Sequence, residues 1–234
     1  MTTLTKFLCT VLLLPVIGAG AKDGEGVALF DGTSFKGWKI QKGEEQWWRI
    51  EGGEIVGGSA DQKIPHNTFI TTEKRFTNFE LSLKVKVEGS EKPNAGIQIR
   101  SERVPDHHEM IGYQADVGPG WWGKLYDESR RRKVIGDWLS PEVAKAVKAD
   151  AWNEYRIRCV GPKIQLFING VQTVEYEEAD SKIPLEGFIA LQAHGGPAFQ
   201  VRYKDIMIKE LPAEAGGPTW EDLGEEGRKP WRRK

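Results

Sequence analysis

Hydrophobic and polar residues alternate with a period of two over much of the chain. Residues 79–88 show the pattern most clearly, with Phe, Leu or Val at every odd position and Glu, Ser or Lys at every even position. The same alternation recurs in residues 153–159, 163–168 and 199–203. Because successive side chains of a strand point to opposite faces, this pattern predicts strands with one buried and one solvated face.

Turn signals and one short helix complete the prediction of the fold. Asn169-Gly170 separates two alternating segments and is a strong signal for a two-residue hairpin turn. A single helix is expected near 141–148, where Ser140 can cap the first turn and Pro141 fits it. Many strands, frequent turns and no repeat of fixed period predict an all-β sandwich of two antiparallel sheets.

The first 21 residues have the features of a secretory signal peptide. Lys6 precedes an apolar run from Phe7 to Ile17, and Ala19-Gly20-Ala21 is a small-residue cleavage site. We therefore expect cleavage after Ala21 and a secreted or periplasmic protein. The apolar run is too short to span a bilayer, which argues against a membrane anchor.

The rest of the chain divides into one domain and a tail. Residues 22–211 have the length of one sandwich domain, whereas residues 212–234 are rich in Pro, Gly and charges and predict a loosely attached tail. Trp220 and Trp231 could dock this tail or lie exposed. Removal of the signal peptide leaves Cys159 as the remaining cysteine, so the core rather than a disulfide must hold the fold.

Composition narrows the possible partners. The formal net charge is −1 at pH 7, and general nucleic-acid binding requires a basic field, so we expect no nucleic-acid partner. The chain contains nine tryptophans, which favour either carbohydrate contacts or a Trp-rich core. The oligomeric state is left open.

The segment Gly112–Arg132, GYQADVGPGWWGKLYDESRRR, concentrates aromatic and charged side chains beside glycines. Buried charges are costly unless they are paired, so this composition is unlike a core strand. Flat rings can stack on a sugar, and fixed polar groups can bind its hydroxyls, which indicates a ligand cleft. The alternative is a solvated surface loop with satisfied ion pairs.

Alternate residues of a strand share one face, and this rule places further polar residues beside this segment. Within each of four predicted strands, polar side chains occupy one face and aliphatic side chains the other. If the strands are neighbours, these positions form one polar patch on a sheet. The predicted patch contains Arg100, Gln114, Asp116, Lys124, Tyr126, Gln192 and His194, with Trp121 or Trp122 at its rim, and Gln98 shares the strand face of Arg100.

Several common chemistries lack their motifs. No E-x-D-x-x-E strand motif provides the carboxylate pair of a glycoside hydrolase, and no Gly-Lys-Ser/Thr follows Gly118-Pro119-Gly120 to make a phosphate loop. Adjacent residues of a strand face opposite ways, so His107-His108-Glu109 is expected to be a polar loop rather than a metal site. We expect no metal and no cofactor.

An ordered set of short blocks resembles the 3-keto-disaccharide hydrolase domain family, also described as 3-keto-glucoside lyases and 3-keto-2-hydroxy-glucal hydratases. The resemblance covers nearly all of Leu29–Leu211. The matching blocks are Leu29–Gly32 with Gly37-Trp38, Trp48–Gly53, Phe76–Leu83, Asn94–Arg100, Gly112-Tyr113, Trp152-Asn153, Ile168–Gly170 and Gly187–His194. The resemblance implies a concanavalin-like jelly roll whose concave face binds a glycoside with a ketone at the 3-position.

The resemblance also implies a reaction that needs one base, one acid and one oxyanion stabiliser. The family pattern G-Y-E-x-Q reads Gly112-Tyr113-Gln114-Ala115-Asp116 here, which moves the acid two residues along the same strand face. Asp116 is therefore predicted to be an ionised base or its orienting partner, with His194 in the other role. The remaining predicted roles are enolate stabilisation by Arg100 or Lys124, protonation of the leaving oxygen by Tyr126, stacking on the sugar by Trp121 and Trp122, and sugar binding by Gln98, Gln114 and Gln192.

Two other classes of function remain open. A non-catalytic carbohydrate-binding module of the same fold needs only rings and hydrogen bonds, and the fold alone does not separate it from an enzyme. A protein-interaction domain would present the aromatic residues of 121–132 on a flat or convex surface. Convergence of Asp116 and His194 with a cation would favour the enzyme.

Overall fold

The computed structural model describes residues 26–90, 92–213 and 217–229. The predicted signal peptide lies outside these residues. In the described part of the chain, strands predominate over two α-helices and one 3-10 turn. The elements are β1 (Val27–Ala28), β2 (Trp38–Ile40), the 3-10 turn (Glu45–Trp47), β3 (Trp48–Glu51), β4 (Glu54–Ser59), β5 (Thr68–Phe76), β6 (Phe79–Glu88), β7 (Ala95–Arg103), β8 (Met110–Val117), β9 (Leu125–Glu128), β10 (Lys133–Gly136), α1 (Glu142–Ala146), β11 (Asn153–Val160), β12 (Lys163–Ile168), β13 (Val171–Glu177), β14 (Gly187–Ala193), β15 (Phe199–Glu210) and α2 (Trp220–Gly227).

The strands form two antiparallel sheets. The first sheet has the order β13-β12-β11-β6-β15-β4-β3, with β1 paired to β15, and the second has the order β10-β9-β8-β7-β14-β5-β2. The predicted two-sheet sandwich is therefore confirmed. Helix α1 lies within the segment predicted to be helical, and Asn169-Gly170 joins β12 to β13 as expected.

The core between the sheets is built by the alternation seen in the sequence. Every odd residue of β6 is buried and every even residue is partly exposed. Leu81 and Leu83 on the first sheet belong to the same buried cluster as Ile97 and Ile99 on the second. Burying one such side chain contributes about 1.5–3 kcal/mol, so the shared cluster holds the two sheets together.

A bulge interrupts the alternation in β7. The β7–β8 register shifts between Ile99 and Glu102, and Arg100 has a φ of 48°. An extra residue in one strand bends it and reverses the facing of the residues that follow. Beyond the bulge, Met110 of β8 packs against Phe69 of β5, although two strands separate β8 from β5 in the sheet. The end of the β7–β8 hairpin therefore bends over the outer face of the second sheet.

Helix α2 packs against the β7–β8 hairpin. Trp220 is fully buried against Val104 and Ile111, and its indole N–H donates to the carbonyl of Glu186 at 2.9 Å. A capping box formed by Thr219 and Asp222 begins the helix. Of the two outcomes open for Trp220, docking is the one observed, whereas Trp231 lies outside the described residues. Among the residues described, no helix is long and apolar enough to cross a membrane.

Candidate functional site

The outer face of the second sheet carries two rows of polar side chains, which we call the polar face. In one row, Tyr126, Gln114 and Gln98 are consecutive partners across β9, β8 and β7. In the next row, Gly96 of β7 lies between Asp116 of β8 and Gln192 of β14. Register therefore brings together five of the polar residues that sequence parity placed on one patch.

The polar face is recessed rather than solvated. Gln98 and Gln192 are fully buried, Asp116 is 2 % exposed and Gln114 is 3 % exposed. Outer-face residues of a plain solvated sheet are not shielded to this extent, as the partly exposed even positions of β6 show. Met110 of the bent β7–β8 hairpin packs on Phe69, the β5 partner of Gln192.

Glycine at position 96 is required by the packing of Gln114. A Cβ atom on residue 96 would lie 2.5 Å from the side-chain amide carbon of Gln114. That distance is far inside van der Waals contact, so a larger residue would displace Gln114. The absence of a side chain on β7 thus lets the Gln114 side chain pass between Asp116 and Gln192.

A directed chain of hydrogen bonds ends on Asp116. The hydroxyl of Ser101 donates to Oε1 of Gln98 at 2.7 Å, and Nε2 of Gln98 donates to Oε1 of Gln114 at 2.8 Å. Nε2 of Gln114 then donates to Oδ1 of Asp116 at 2.8 Å. Gln98 is thus fully buried and bonded to Gln114 and Ser101.

Asp116 has one satisfied and one free carboxyl oxygen. Oδ2 is shielded from solvent and has no hydrogen-bond partner among the described residues. Burial raises the pKa of Asp116 to about 8, against the lowering effects of the Gln114 hydrogen bond and the Lys124 charge. Desolvation thus outweighs the nearby cation and favours the neutral carboxyl, whereas the sequence suggested an ionised Asp116.

Gln192 also presents free polar atoms. Its amide Nε2 and Oε1 are both buried without a partner in the described part of the chain, as is Oδ1 of the nearby Asn94. Buried polar groups are nearly always hydrogen-bonded, and leaving one unpaired costs about 1–3 kcal/mol. Unpaired atoms on both sides of Gly96 therefore point to a site built for a polar ligand.

Two tyrosines support this row from the core side. The hydroxyl of Tyr155 on β11 donates to the backbone carbonyl of Asp116 at 2.9 Å. The hydroxyl of Tyr203 on β15 lies 2.8 Å from the carbonyl of Gln192 and 3.2 Å from that of Gly96. The first sheet thus fixes the backbone at all three positions of the row.

His194 follows β14, two residues after Gln192 on the same sheet as Asp116. Its backbone N–H donates to the carbonyl of Asn94 at 3.2 Å, and its Nδ1 lies 2.6 Å from the carbonyl of Gly195. A carbonyl oxygen only accepts hydrogen bonds, so Nδ1 must carry the proton. In the neutral form of the ring, the lone pair is then on Nε2.

The two adjacent tryptophans have different positions. Trp121 is 39 % exposed, and its ring meets Tyr126 edge-on with centroids 6.4 Å apart. Trp122 is 4 % exposed and belongs to the core cluster, so the prediction that it stacks on a ligand is wrong. Both tryptophans lie in the turn between β8 and β9 rather than in a strand. The Trp122 carbonyl in this turn accepts the indole N–H of Trp138.

The two predicted cations also have other partners. Arg100 is fully buried and donates to the carbonyls of Thr77 and Gly161, so its placement on the polar face is wrong. The bulge is the physical reason, because parity no longer holds at Arg100. Lys124 lies opposite Asp116, since its carbonyl accepts the Asp116 N–H, but its Nζ pairs with Asp137 at 3.2 Å.

The bent hairpin also carries a buried carboxyl and a histidine stack that the sequence did not predict. Both carboxyl oxygens of Glu109 accept from Nδ2 of Asn67, and burial raises the pKa of Glu109 to about 7. The ring of His108 stacks on those of His66 and His107, with centroids 4.3 and 4.2 Å apart. Among the described residues, no three His, Cys, Asp or Glu side chains are arranged to hold a metal ion. The sequence placed Glu109 in a polar loop. Its burial follows from the bend that the bulge introduces into the hairpin, and alternation in the sequence does not reveal that bend.

The chain belongs to the family of 3-keto-alpha-glucoside-1,2-lyase-like domains, whose family model matches residues 25–209. This match confirms the resemblance found in the sequence. A search of curated protein sequences gives no match. The family and the fold together indicate a carbohydrate-active or carbohydrate-binding protein.

Solved structures similar to this chain share its fold. A protein from Parabacteroides distasonis described as a candidate glycosyl hydrolase is 22 % identical, with a TM-score of 0.61 over 80 % of this chain and 95 % of its own. The carbohydrate-binding module CBM66 from Bacillus subtilis is 14 % identical, with a TM-score of 0.57 over 74 % and 96 % of the two chains. The lectin I-B4 from Griffonia simplicifolia is 8 % identical, with a TM-score of 0.51 over 77 % and 95 %. These likenesses confirm a lectin-like jelly roll.

Proposed function

We propose that this protein cleaves 3-keto-glycosides by elimination at the polar face. The observation that carries the proposal is the row Asp116–Gly96–Gln192, in which buried polar atoms on either side of a glycine have no partner among the described residues. Membership of the 3-keto-alpha-glucoside-1,2-lyase-like family supplies the substrate class.

The reaction begins at the ring carbon between the ketone and the anomeric carbon. The ketone acidifies the proton on this carbon, and Nε2 of His194 removes it as the base. The C–H electron pair forms an enolate, which collapses to a carbon–carbon double bond as the anomeric carbon–oxygen bond breaks. Tyr126 donates a proton to the departing oxygen and regains one from solvent, and His194 releases to solvent the proton that it removed. Water can then add to the enone product.

The ring of the substrate packs against the exposed side chain of Trp121, beside Tyr126. Aromatic faces suit the apolar face of a sugar, while the amides of Gln114 and Gln192 suit its hydroxyls. This division of roles needs no carboxylate pair across the scissile bond, in agreement with the missing hydrolase motif.

The experiment is incubation with a chemically oxidised 3-keto-glucoside that bears a chromogenic aglycone. The proposal expects aglycone release together with the absorbance of the glucal product, and no release from the unoxidised glucoside. His194→Ala should lower the rate by about a hundredfold or more, the usual span of general-base catalysis. His107→Ala is the matched control, since His107 is exposed on the hairpin turn, and its rate should stay near that of the wild type.

A second candidate function is a carbohydrate-binding module, which the similarity to CBM66 favours. It would bind the 3-keto-glucoside and the parent glucoside at the polar face and release no aglycone from either. Binding without turnover in the same experiment would replace the proposed enzyme by this module.

A further inference from the structure

The loop that follows β14 carries His194, and hydrogen bonds hold three successive N–H groups of its backbone. The N–H groups of residues 194 and 196 donate to main-chain carbonyls. The N–H of Gly195 instead donates to Oδ1 of Asn67 at 2.9 Å. Of the three, the peptide between His194 and Gly195 is therefore the one whose hydrogen bond depends on the orientation of a side chain.

We propose that Glu109 of the bent hairpin is a positioning residue for the proposed base His194, and that it acts through Asn67 and Gly195. This inference rests on the proposed function. Glu109 holds the Asn67 amide in one orientation, and that amide holds the N–H of Gly195. The Gly195 carbonyl in turn accepts the proton on Nδ1 of His194.

The Asn67 amide has one orientation that satisfies both of its neighbours. A backbone N–H only donates, so the Asn67 atom that faces Gly195 must be the carbonyl oxygen Oδ1. The amide nitrogen Nδ2 then faces Glu109, whose two carboxyl oxygens lie at 3.0 and 3.3 Å and accept from it. Turning the amide over would place donor against donor at Gly195. The acceptor on Glu109 therefore stabilises the orientation that the His194 loop requires.

Gly195 transmits this constraint to the imidazole. A Cβ atom on residue 195 would lie 2.7 Å from the Cα and carbonyl carbon of His66, so the loop packs directly on the backbone that leads into Asn67. The Gly195 carbonyl lies 2.6 Å from Nδ1 of His194 and keeps the proton on that nitrogen. Displacement of the His194–Gly195 peptide would weaken this bond. The neutral ring could then carry its proton on either nitrogen, and Nε2 would have a lone pair in only part of the population.

The hairpin that carries Glu109 is itself fixed to the second sheet. Arg103 of β7 donates to the carbonyl of Phe69 on β5 at 2.8 Å, and Met110 packs on the Phe69 side chain. Phe69 follows Asn67 by two residues, so these contacts hold Glu109 beside the Asn67 amide. The Glu109 side chain is 17 % exposed, and water therefore competes weakly for its hydrogen bonds.

Substitutions of Glu109 separate a positioning role from proton transfer. Burial raises the pKa of Glu109 to about 7, but the carboxyl keeps an accepting oxygen in either protonation state. Glu109→Gln also keeps an acceptor for Asn67, so we expect kcat near the wild-type value. Glu109→Met has a similar length and no oxygen, and it should lower kcat by about tenfold to a hundredfold, the effect of misplacing a catalytic group, with KM little changed. A severe loss in Glu109→Gln would overturn the inference and make Glu109 itself a proton-transferring group.

Exchange of the donor and the acceptor tests the path through Asn67. Asn67→Leu removes the acceptor for the Gly195 N–H, and it should lower kcat by about tenfold or more. A chain with both Asn67→Asp and Glu109→Gln keeps an acceptor for Gly195 and a donor–acceptor pair between the two side chains, so we expect it to retain most of the wild-type kcat. Glu142→Gln, at an exposed carboxyl of α1, is the matched control and should behave as the wild type. A double variant as impaired as Asn67→Leu would overturn the inference.

Nitrogen-15 NMR of labelled histidine gives a readout that does not require turnover. The chain has four histidines, and the spectrum of His194→Ala assigns the signals of His194. At about pH 9, where imidazole is neutral, the wild type, Glu109→Gln and the double variant should carry the His194 proton on Nδ1. Asn67→Leu and Glu109→Met should show both tautomers, and unchanged His194 signals in these two variants would overturn the inference. A wild type that shows this pattern but does not turn over 3-keto-glucoside would overturn the proposed catalysis alone.

Discussion

Gln114 donates from Nε2 to Oδ1 of Asp116 at 2.8 Å, and Oδ2 of the same carboxyl has no partner among the described residues. The two oxygens of this carboxyl therefore have different environments. One oxygen accepts from the buried amide chain, and the other is buried without a partner in the described part of the protein.

Burial of Asp116 should reduce stability at neutral pH. Its pKa is raised from 3.8 to about 8, so the folded state binds the proton more tightly than the unfolded state. The associated stability is present below pH 4 and is lost as the pH rises to about 8. Asp116→Asn cannot ionise, and it should be more stable than the wild type by about 2–4 kcal/mol at pH 7.

Chemical denaturation of both proteins at pH 5, 7 and 8 measures this effect. The difference in unfolding free energy between the variant and the wild type should grow with pH. A difference that is constant over this range would show that Asp116 is already ionised in the folded state at pH 5.

Gly96→Ala should disturb the polar face and the fold together. The added methyl group would lie 2.5 Å from the amide carbon of Gln114, and such overpacking typically costs about 1–3 kcal/mol. Combining Gly96→Ala with Gln114→Ala should cost less than the sum of the single changes, because the second change removes the clash. Strict additivity in thermal or chemical unfolding would contradict this account of Gly96.

The adjacent tryptophans should respond to substitution in opposite ways. Trp122→Ala removes a core side chain, so it should cost about 3–5 kcal/mol of stability. Trp121→Ala should change stability little, because the side chain is 39 % exposed, but it should weaken sugar binding. Unfolding curves and isothermal titration with the 3-keto-glucoside check both variants, and a reversed pattern would invalidate the assignment.

Tyr203→Phe tests the support of the row from the core. The substitution leaves the carbonyls of Gln192 and Gly96 without the Tyr203 hydroxyl, and the lost bond should cost about 1–2 kcal/mol. Tyr155→Phe should have a similar effect through the carbonyl of Asp116. Unfolding free energies at or above the wild-type value would indicate that these hydroxyls do not stabilise the row.

The sequence predicted the sheets better than it predicted the site. Alternation identified β6 and the strand faces because a regular strand has a fixed period. The same rule failed at Arg100, where one extra residue in β7 reverses the facing, and a bulge has no signature in alternation alone. The rule also does not apply to Trp122, because this residue lies in a turn rather than in a strand. Its side chain belongs to the core cluster.

The protonation state of Asp116 could not be predicted from the sequence either. The polar composition of the segment suggested a solvated and ionised carboxylate, but ionisation depends on the water left around the group. The docked Trp220 was predictable only as one of two outcomes, because its partners Val104 and Ile111 are distant in sequence.

The most direct test of the proposed elimination is an isotope effect on the bond that breaks first. A 3-keto-glucoside carrying deuterium on the carbon between the ketone and the anomeric carbon is compared with the protium substrate. The account predicts that the wild type releases aglycone more slowly from the deuterated substrate, with the label lost to solvent and with glucal absorbance in step with release. Equal rates with the label retained in the sugar product would contradict elimination and indicate direct hydrolysis.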